Sequence, residues 1–304
     1  MEMVVDELKQ ISCAGIILYN PDIDLLKKNV AALVGQVKKI YLFDNASGNK
    51  TEIEHFITLY QDVCYYRHPE NAGIAFGLDY LLRQAKDDGF KWILTMDQDS
   101  ICANNLIEEY SKFCNQPQVA LVCPFVLNNG KYTLETYRQL NLPEMSKITN
   151  PIDCITSACL TNVNVISEIG GYATDFFIDG VDTELNCRVM QSGYIIVRAN
   201  KTYLIQQMGK AKKNRIFEWL YRLTKANIFR RIQVAAVYND LRLYYFARNN
   251  WIIHKKYPNA GARTSTPFMI ILFLFFSITY PLSRSRVAMW KSIFKGYKAA
   301  RKSV

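Results

Sequence analysis

Short β-rich hydrophobic runs alternate with stretches of helical hydrophobic spacing along the first 125 residues. The runs Ile11–Tyr19, Lys39–Asn45, Asp62–His68, Lys91–Asp97 and Val119–Phe125 are rich in Ile, Val, Tyr and Phe, the composition of strands. Between the first two, Ile23, Leu26, Val30, Leu33, Val34 and Val37 recur at helical spacing. Ala75–Ala85 and Asn105–Phe113 repeat that spacing in two later gaps. Strand–helix alternation predicts an α/β fold with a mainly parallel sheet flanked by helices.

In such a sheet a ligand binds beyond the carboxyl ends of the strands. The polar residues at those ends are Asn20, Asp44-Asn45, the His68–Gly73 turn and Asp97-Gln98-Asp99. Any one of them also reads as a turn or helix cap, where Asn and Asp are favoured. Caps do not require a paired acid such as Asp97 and Asp99, so the four together define a candidate site.

After residue 125 the periodicity lapses over 126–152, which reads as a long loop or β-excursion. A strand is expected over Asp153–Leu160, a helix over Asn164–Ile169 closed by Gly170-Gly171, a helix over Asp182–Gln191 and a strand over Tyr194–Arg198. From about Lys210 the pattern changes. Ile216, Trp219, Leu220 and Leu223 share a helical face amid Lys and Arg, and Pro267–Leu282 is an uncharged apolar run. A spanning helix needs about 20 apolar residues. The run is shorter than that, which leaves an interfacial, re-entrant or buried helix. The expected organisation is a catalytic domain over 1–209 and a basic, amphipathic and apolar helical region over 210–304.

Charge sharpens that division. Residues 1–200 carry 16 Lys/Arg against 25 Asp/Glu, while residues 201–304 carry 21 against Glu218 and Asp240 alone. An acidic body with a basic tail implies separate partners for the two. Basic, aromatic-bearing helices beside an apolar run suit a monotopic membrane contact, and a helical bundle with Pro267–Leu282 as its core is the competing reading. The eight cysteines form no CxxC pair and no Cys/His cluster, so zinc is not expected. The opening Glu2, Asp6 and Glu7 lack the basic region of a signal peptide, and a cytoplasmic setting is expected.

The chemistry sits in Asp97-Gln98-Asp99, which follows the apolar run Trp92–Met96. Two carboxylates one residue apart at a strand end can share a hard cation, and Mg²⁺ or Mn²⁺ takes one or two carboxylates plus substrate phosphates. Such an ion neutralises charge on a departing nucleoside diphosphate.

With these pieces in order, the chain resembles the inverting family-two glycosyltransferases of GT-A fold, in particular their bacterial rhamnosyltransferase-like branch. The resemblance is carried by Gly15–Pro21, Asp44-Asn45-Ala46-Ser47, Asn71–Ala75, Leu94–Ser100, Phe177–Glu184 and Tyr244–Asn249. It implies a Rossmann-like nucleotide-binding sheet and a nucleotide-sugar donor. Asp44 would hydrogen-bond the donor's pyrimidine. Asn20, Asn71 and Gly73 would line the nucleotide pocket, with Gly73 letting backbone approach closely. Asp97 would lie near the ribose and diphosphate, and Asp97 with Asp99 would hold the metal. Asp182 would be the base that deprotonates the acceptor hydroxyl, with Asp179 its nearest rival. Ser157, Asp179, Glu184 and Arg248 fall on the acceptor side. An Asp182 carboxylate that merely caps its helix is the plainer alternative.

Two departures stand out. Where relatives carry His-x-x-Gly this chain has Gln206-Gln207-Met208-Gly209, so the third protein ligand is either the weaker carbonyl oxygen of Gln206 or absent, which places more of the metal on Asp99 and the donor. Where relatives carry Ser-Gly it has Ser157-Ala158, a change expected to narrow the acceptor side. The expected reaction is transfer of rhamnose from dTDP-rhamnose to a lipid-linked glycan at the inner face of the cell membrane, in O-antigen or capsule synthesis. Another hexose or a furanose from a UDP donor is the alternative. A nucleic-acid partner fits less well, because the basic residues interleave with apolar ones. A nucleotidyltransferase would need a glycine-rich basic loop where Asn20–Asp24 is acidic.

Overall fold

The computed structural model describes residues 4–128, 132–206, 211–213, 215–225, 234–236, 238–259, 266–280 and 284–303. Tertiary contacts divide the chain into two compact units, 1–207 and 208–304.

The first unit opens with helix α1 (Val5–Gln10), followed by β1 (Ser12–Leu18), α2 (Ile23–Leu33), β2 (Lys39–Asp44), α3 (Lys50–Ile57), β3 (Val63–Arg67), α4 (Ile74–Asp87) and β4 (Trp92–Asp97). Then come β5 (Ile101–Cys102), α5 (Leu106–Ser111), β6 (Val119–Asn128), α6 (Leu134–Arg138), β7 (Met145–Ile148), a 3₁₀ turn at Pro151–Asp153, β8 (Cys159–Asn162), α7 (Val163–Glu168), α8 (Val181–Gln191) and β9 (Ile195–Gln206). The strands form one sheet in the order β3-β2-β1-β4-β8-β6-β9-β5, with β7 on β9.

Strands β3, β2, β1 and β4 run parallel, as the alternation predicts. The other half departs from a mainly parallel sheet. Strand β8 is antiparallel to both β4 and β6, and β5 and β7 are antiparallel to β9. Strands β6 and β9 form a further parallel pair. Periodicity marks which segments are strands but not their direction, and β8 enters the sheet between β4 and β6 in the reverse sense to both. The 126–152 segment thus contains an extended β6, α6 and β7 rather than a bare loop.

The strand expected over Asp153–Leu160 shifts to Cys159–Asn162, and β9 runs eight residues past Arg198, to Gln206. Pairing with β6 passes from Pro124↔Ala199 directly to Phe125↔Tyr203, so the polar Asn200-Lys201-Thr202 step is a bulge and not a strand end.

Helix α2 shows how the core is built. Asp22 caps it, accepting from the amides of Asp24 and Leu25, and Leu26, Val30 and Leu33 bury fully against the sheet. Each contributes roughly 1.5–3 kcal/mol by leaving water. Val34 and Val37 continue the helical spacing but lie past its end, where they bridge to each other.

The second unit contains the β10 (Ala211–Lys213) and β11 (Val234–Ala236) pair, α9 (Arg215–Thr224), α10 (Asp240–Lys256), α11 (Thr266–Thr279) and α12 (Arg286–Ser303). Leu243 and Ala247 of α10, Phe276 of α11, Tyr280, and Met289 and Ile293 of α12 form a small core of their own. Helices α10 and α12 approach closely at Gly296, where a Cβ would lie 2.2 Å from the Tyr244 carbonyl oxygen. No helix among the described residues is long and apolar enough to cross a membrane.

Candidate functional site

The parallel register sets Leu18 beside Asp44 and Ile17 beside Asp97, so the ends of β2, β1 and β4 form one row. The loops leaving β1 and β2 are laced together along it. Asn20, at φ 48°, takes its place by accepting from the Gly48 amide at 2.7 Å, while its own amide donates to Ser47 Oγ at 2.9 Å. Asn45 accepts from the Ala72 amide at 2.8 Å and so draws in the turn after β3.

Asp44 is the centre of this lacing and is fully buried. One oxygen accepts from the Ser47 amide, and the other accepts from Tyr65 Oη at 2.6 Å and from Arg67 Nη1. Burial alone would raise its pKa, but the Ser47 and Tyr65 hydrogen bonds and the Arg67 charge hold it below the usual carboxylate value. Three donors already occupy most of its acceptor capacity.

Gly73 does admit a close backbone approach, from Phe177. At φ 91° it starts α4, and a Cβ there would lie 2.6 Å from the Phe177 carbonyl oxygen. That same oxygen accepts from the Ile74 amide at 2.7 Å. The close approach is therefore to the Phe177–Asp182 loop. Asn71 stabilises the turn by accepting from the Gly73 amide at 3.0 Å.

At the end of β4 the Asp97 backbone is fixed from two sides. Its amide donates to Ser157 Oγ at 3.1 Å, and its carbonyl accepts from Nδ2 of the buried Asn29 at 2.6 Å. Gln98 closes a two-way amide pair with Tyr19, accepting from its backbone N–H at 2.8 Å and donating to its carbonyl at 3.2 Å. The β4 turn and the β1 end are thus clipped together.

The Asp97 carboxyl is pushed up to about 6, by burial first and then by the negative charges of Asp99 and Asp182, against hydrogen bonds from Gln206 and Ser157. Burial also raises Asp99. Asp182 is raised by burial and by Asp179, opposed by the Thr183 amide, which donates to it at 2.8 Å. Asp179 and Gly180 both hold left-handed backbone, at φ 65° and 79°. For a non-glycine residue that conformation is a strain often found at functional sites. Gly180 rather than Asp182 occupies the N-cap of α8, and it makes no side-chain cap. Asp97, Asp99, Asp179 and Asp182 thus form one electrostatic cluster.

Residues 13–171 of this sheet-and-turn framework match the family described as Glycosyl transferase family 2. The chain belongs to that family. It is a glycosyltransferase. It is similar to the dTDP-rhamnosyl transferase RfbF of Shigella flexneri, 22% identical over 254 residues that cover 80% of this chain and 79% of that one. Its fold resembles that of GalNAc-T7, solved with UDP, GalNAc and Mn²⁺, at a TM-score of 0.58 and 11% identity, covering 96% of this chain and 56% of that one. It also resembles S. aureus TarS 1-349, at a TM-score of 0.51 and 12% identity, covering 96% and 90% of the two chains.

Not every residue named from the sequence joins this glycosyltransferase's acid cluster. Glu184 is buried one turn into α8, where it pairs with Arg188 at 2.9 Å; Arg188 in turn binds the Ile169 and Gly171 carbonyls. That pairing ties α8 to the end of α7. Arg248 lies in the second unit on α10, donating to Asn249 Oδ1 at 2.7 Å. Ala158 takes φ 57° and buries its methyl in the core, so the change from glycine adds local strain instead of narrowing a pocket. Gln207-Met208-Gly209 lies outside the described residues.

Several positioning residues of the glycosyltransferase were not singled out by sequence. Tyr65 and Arg67 are two apart on β3, hence on one face, and both reach Asp44. Asn29 occupies a core position of α2 among Leu26, Val30 and Leu33, and a polar residue in an apolar stripe is the signal that would have found it. Among the described residues, no three His, Cys, Asp or Glu side chains converge to hold a metal ion. Two nearby carboxylates, one of them pushed up to about 6 by burial and by its neighbours' charge, do fit a hard cation whose remaining ligands are substrate oxygens.

Proposed function

We propose that the enzyme transfers rhamnose from dTDP-rhamnose, with inversion, to a lipid-linked or polysaccharide acceptor in bacterial surface polysaccharide synthesis. The observation that carries the reading is the row of strand ends that sets Asp44 and Asp97 on either side of β1, with Asp99 and Asp182 close enough to help burial raise the Asp97 carboxyl. The rhamnosyl donor rests on likeness to a dTDP-rhamnosyl transferase.

In this reading the nucleotide lies along the laced ends of β1 and β2. Asn20, Asn71 and the Asp44–Arg67 pair shape the base pocket, with Asp44 acting mainly by orienting Tyr65 and Arg67. Asp97 and Asp99 would hold Mg²⁺ or Mn²⁺, which would neutralise charge on the departing diphosphate. Asp182 takes the proton of the acceptor hydroxyl as its oxygen bonds to the sugar's anomeric carbon. The carbon–oxygen bond to the diphosphate breaks with its electron pair, and a single attack from the far face inverts the centre. A carboxylate raised above its usual range is a better base than an ordinary aspartate. Ser157 and Asp179 support this side: Ser157 fixes Asp97, and Asp179 raises Asp182. The basic residues of 201–304 suit a peripheral contact with the cytoplasmic membrane face, where a lipid-linked acceptor would be met.

The test incubates the protein with Mg²⁺ or Mn²⁺ and a panel of dTDP- and UDP-sugars, with membrane extract as acceptor. Nucleoside diphosphate release is expected with dTDP-rhamnose above all others. Release with a UDP-sugar instead would reassign the donor, and no release with any would refute the reading.

A further inference from the structure

The second unit leaves two apolar stripes uncovered. On α11, Ile270, Leu274 and Ile278 recur every fourth residue and are all more than half exposed, opposite the buried Phe276. On α12, Val287, Trp290 and Phe294 are exposed while Met289, Ile293, Gly296 and Ala300 are buried. The rings of Phe273 and Trp290 meet at 6.2 Å, edge to face, which joins the two helices at that border.

Helical geometry, at about 100° per residue, separates the exposed side of α12 into two bands. Val287, Trp290 and Phe294 occupy the first. Lys291, Lys295, Lys298 and Lys302 occupy the second, immediately beside it. The helix contains no acid, and residues 241–304 carry 12 Lys/Arg with no Asp or Glu. An apolar band edged by lysines is the pattern of a helix lying in a membrane interface.

We propose that the outer face of α11 and α12 docks on an anionic lipid bilayer, with both helices in the plane of the headgroups. Trp290, Phe294, Leu274 and Ile278 enter the acyl boundary, and the lysines of α12 meet lipid phosphates. The 14 residues of α11 span roughly 21 Å as a helix, short of the ~30 Å hydrocarbon layer, so it lies along the surface and does not cross. A second copy of the chain is a poorer occupant, because a twofold pairing of this face would set lysine against lysine. Nucleic acid would leave the aromatic and aliphatic side chains without a partner. The proposal sharpens the membrane contact named above, but it does not depend on sugar transfer.

The test is sedimentation of the full-length protein with vesicles of phosphatidylcholine alone, or of phosphatidylcholine with phosphatidylglycerol. Binding is expected only to the anionic vesicles and is weakened by salt. Each of Lys291→Gln, Lys295→Gln and Lys298→Gln should weaken it about five-fold, and Phe294→Ser roughly ten-fold or more. All four positions are exposed, and thermal melting of each variant reports that the fold is kept. Equal binding to neutral vesicles, no vesicle binding, self-association abolished by Phe294→Ser, or DNA binding without vesicle binding would each overturn the proposal. Nucleotide is absent from the assay, so failure of the transfer reading would leave this result untouched.

Discussion

The two carboxylate centres of the first unit are built on opposite principles. Asp44 is buried with three donors aimed at it, and they hold its pKa below the usual value. Asp97 is pushed up to about 6 among other acids, with Gln206 and Ser157 as the opposing hydrogen bonds. The protein neutralises the first centre itself. It leaves the second short of positive charge, a state relieved by a proton or by a cation. The first centre is therefore held in place by its own donors, and in the proposed reading it is the second that carries the chemistry.

Removing the proposed base should have the most severe consequence. Asp182→Asn is expected to lower kcat by about 10²–10⁴ while leaving nucleotide affinity unchanged, measured by turnover and by calorimetric titration. Comparable turnover in Asp182→Asn with loss in Asp179→Asn would move the base to Asp179. Since burial and Asp179 raise Asp182, wild-type kcat should fall on acidification at a pH above the ordinary aspartate range.

Asp97→Asn should inactivate the enzyme and yet stabilise it. The folded-state pKa is raised from 3.8 to about 6, so the stability linked to this proton is full below 3.8 and lost as pH rises past about 6. At neutral pH the substitution should gain roughly 1–3 kcal/mol, and the gain should vanish in melts at acidic pH. A stability difference that does not vary with pH would contradict the charge cluster.

The same substitution at the other centre should act in reverse. Asp44→Asn removes the charge facing Arg67 and should cost about 1–3 kcal/mol, a value reduced because Arg67 is 31% exposed. Denaturant unfolding reads this directly. If Asp44→Asn and Asp97→Asn shift stability in the same direction, the contrast between the two centres is wrong.

The smallest effect belongs to Gln98→Ala, which removes the paired hydrogen bonds to Tyr19 without touching a carboxylate. A fall in kcat/KM of roughly two- to ten-fold is expected, with melting temperature nearly unchanged because the pair is exposed. An unaltered kcat/KM would show that the clip does not position Asp97 and Asp99.

The parallel half of the sheet was readable because short Ile, Val, Tyr and Phe-rich runs alternate there with stretches of helical spacing. The strand-end rule then brought Asn20, Asp44 and Asp97 to one edge. Strand direction in the other half was hidden, since hydrophobic periodicity carries no sign and β8 has the same composition whichever way it runs. Individual roles were harder still. Gly73 was legible as a position that forbids a side chain, yet which backbone it admits, that of Phe177, depends on a loop about a hundred residues away in the chain. Glu184 lies in an acidic motif, and only the fold brings Arg188 and the α7 carbonyls to it. Ala158 illustrates the converse: its departure from a family glycine was visible, but its left-handed backbone was not.

The most direct test is calorimetric titration of Mn²⁺ into the protein with and without dTDP. Strong binding is expected only when the nucleotide supplies its phosphate oxygens, lost in Asp99→Asn and kept in Asp182→Asn. Equal Mn²⁺ binding without nucleotide, or binding indifferent to Asp99→Asn, would contradict a cation shared between the Asp97–Asp99 pair and the donor.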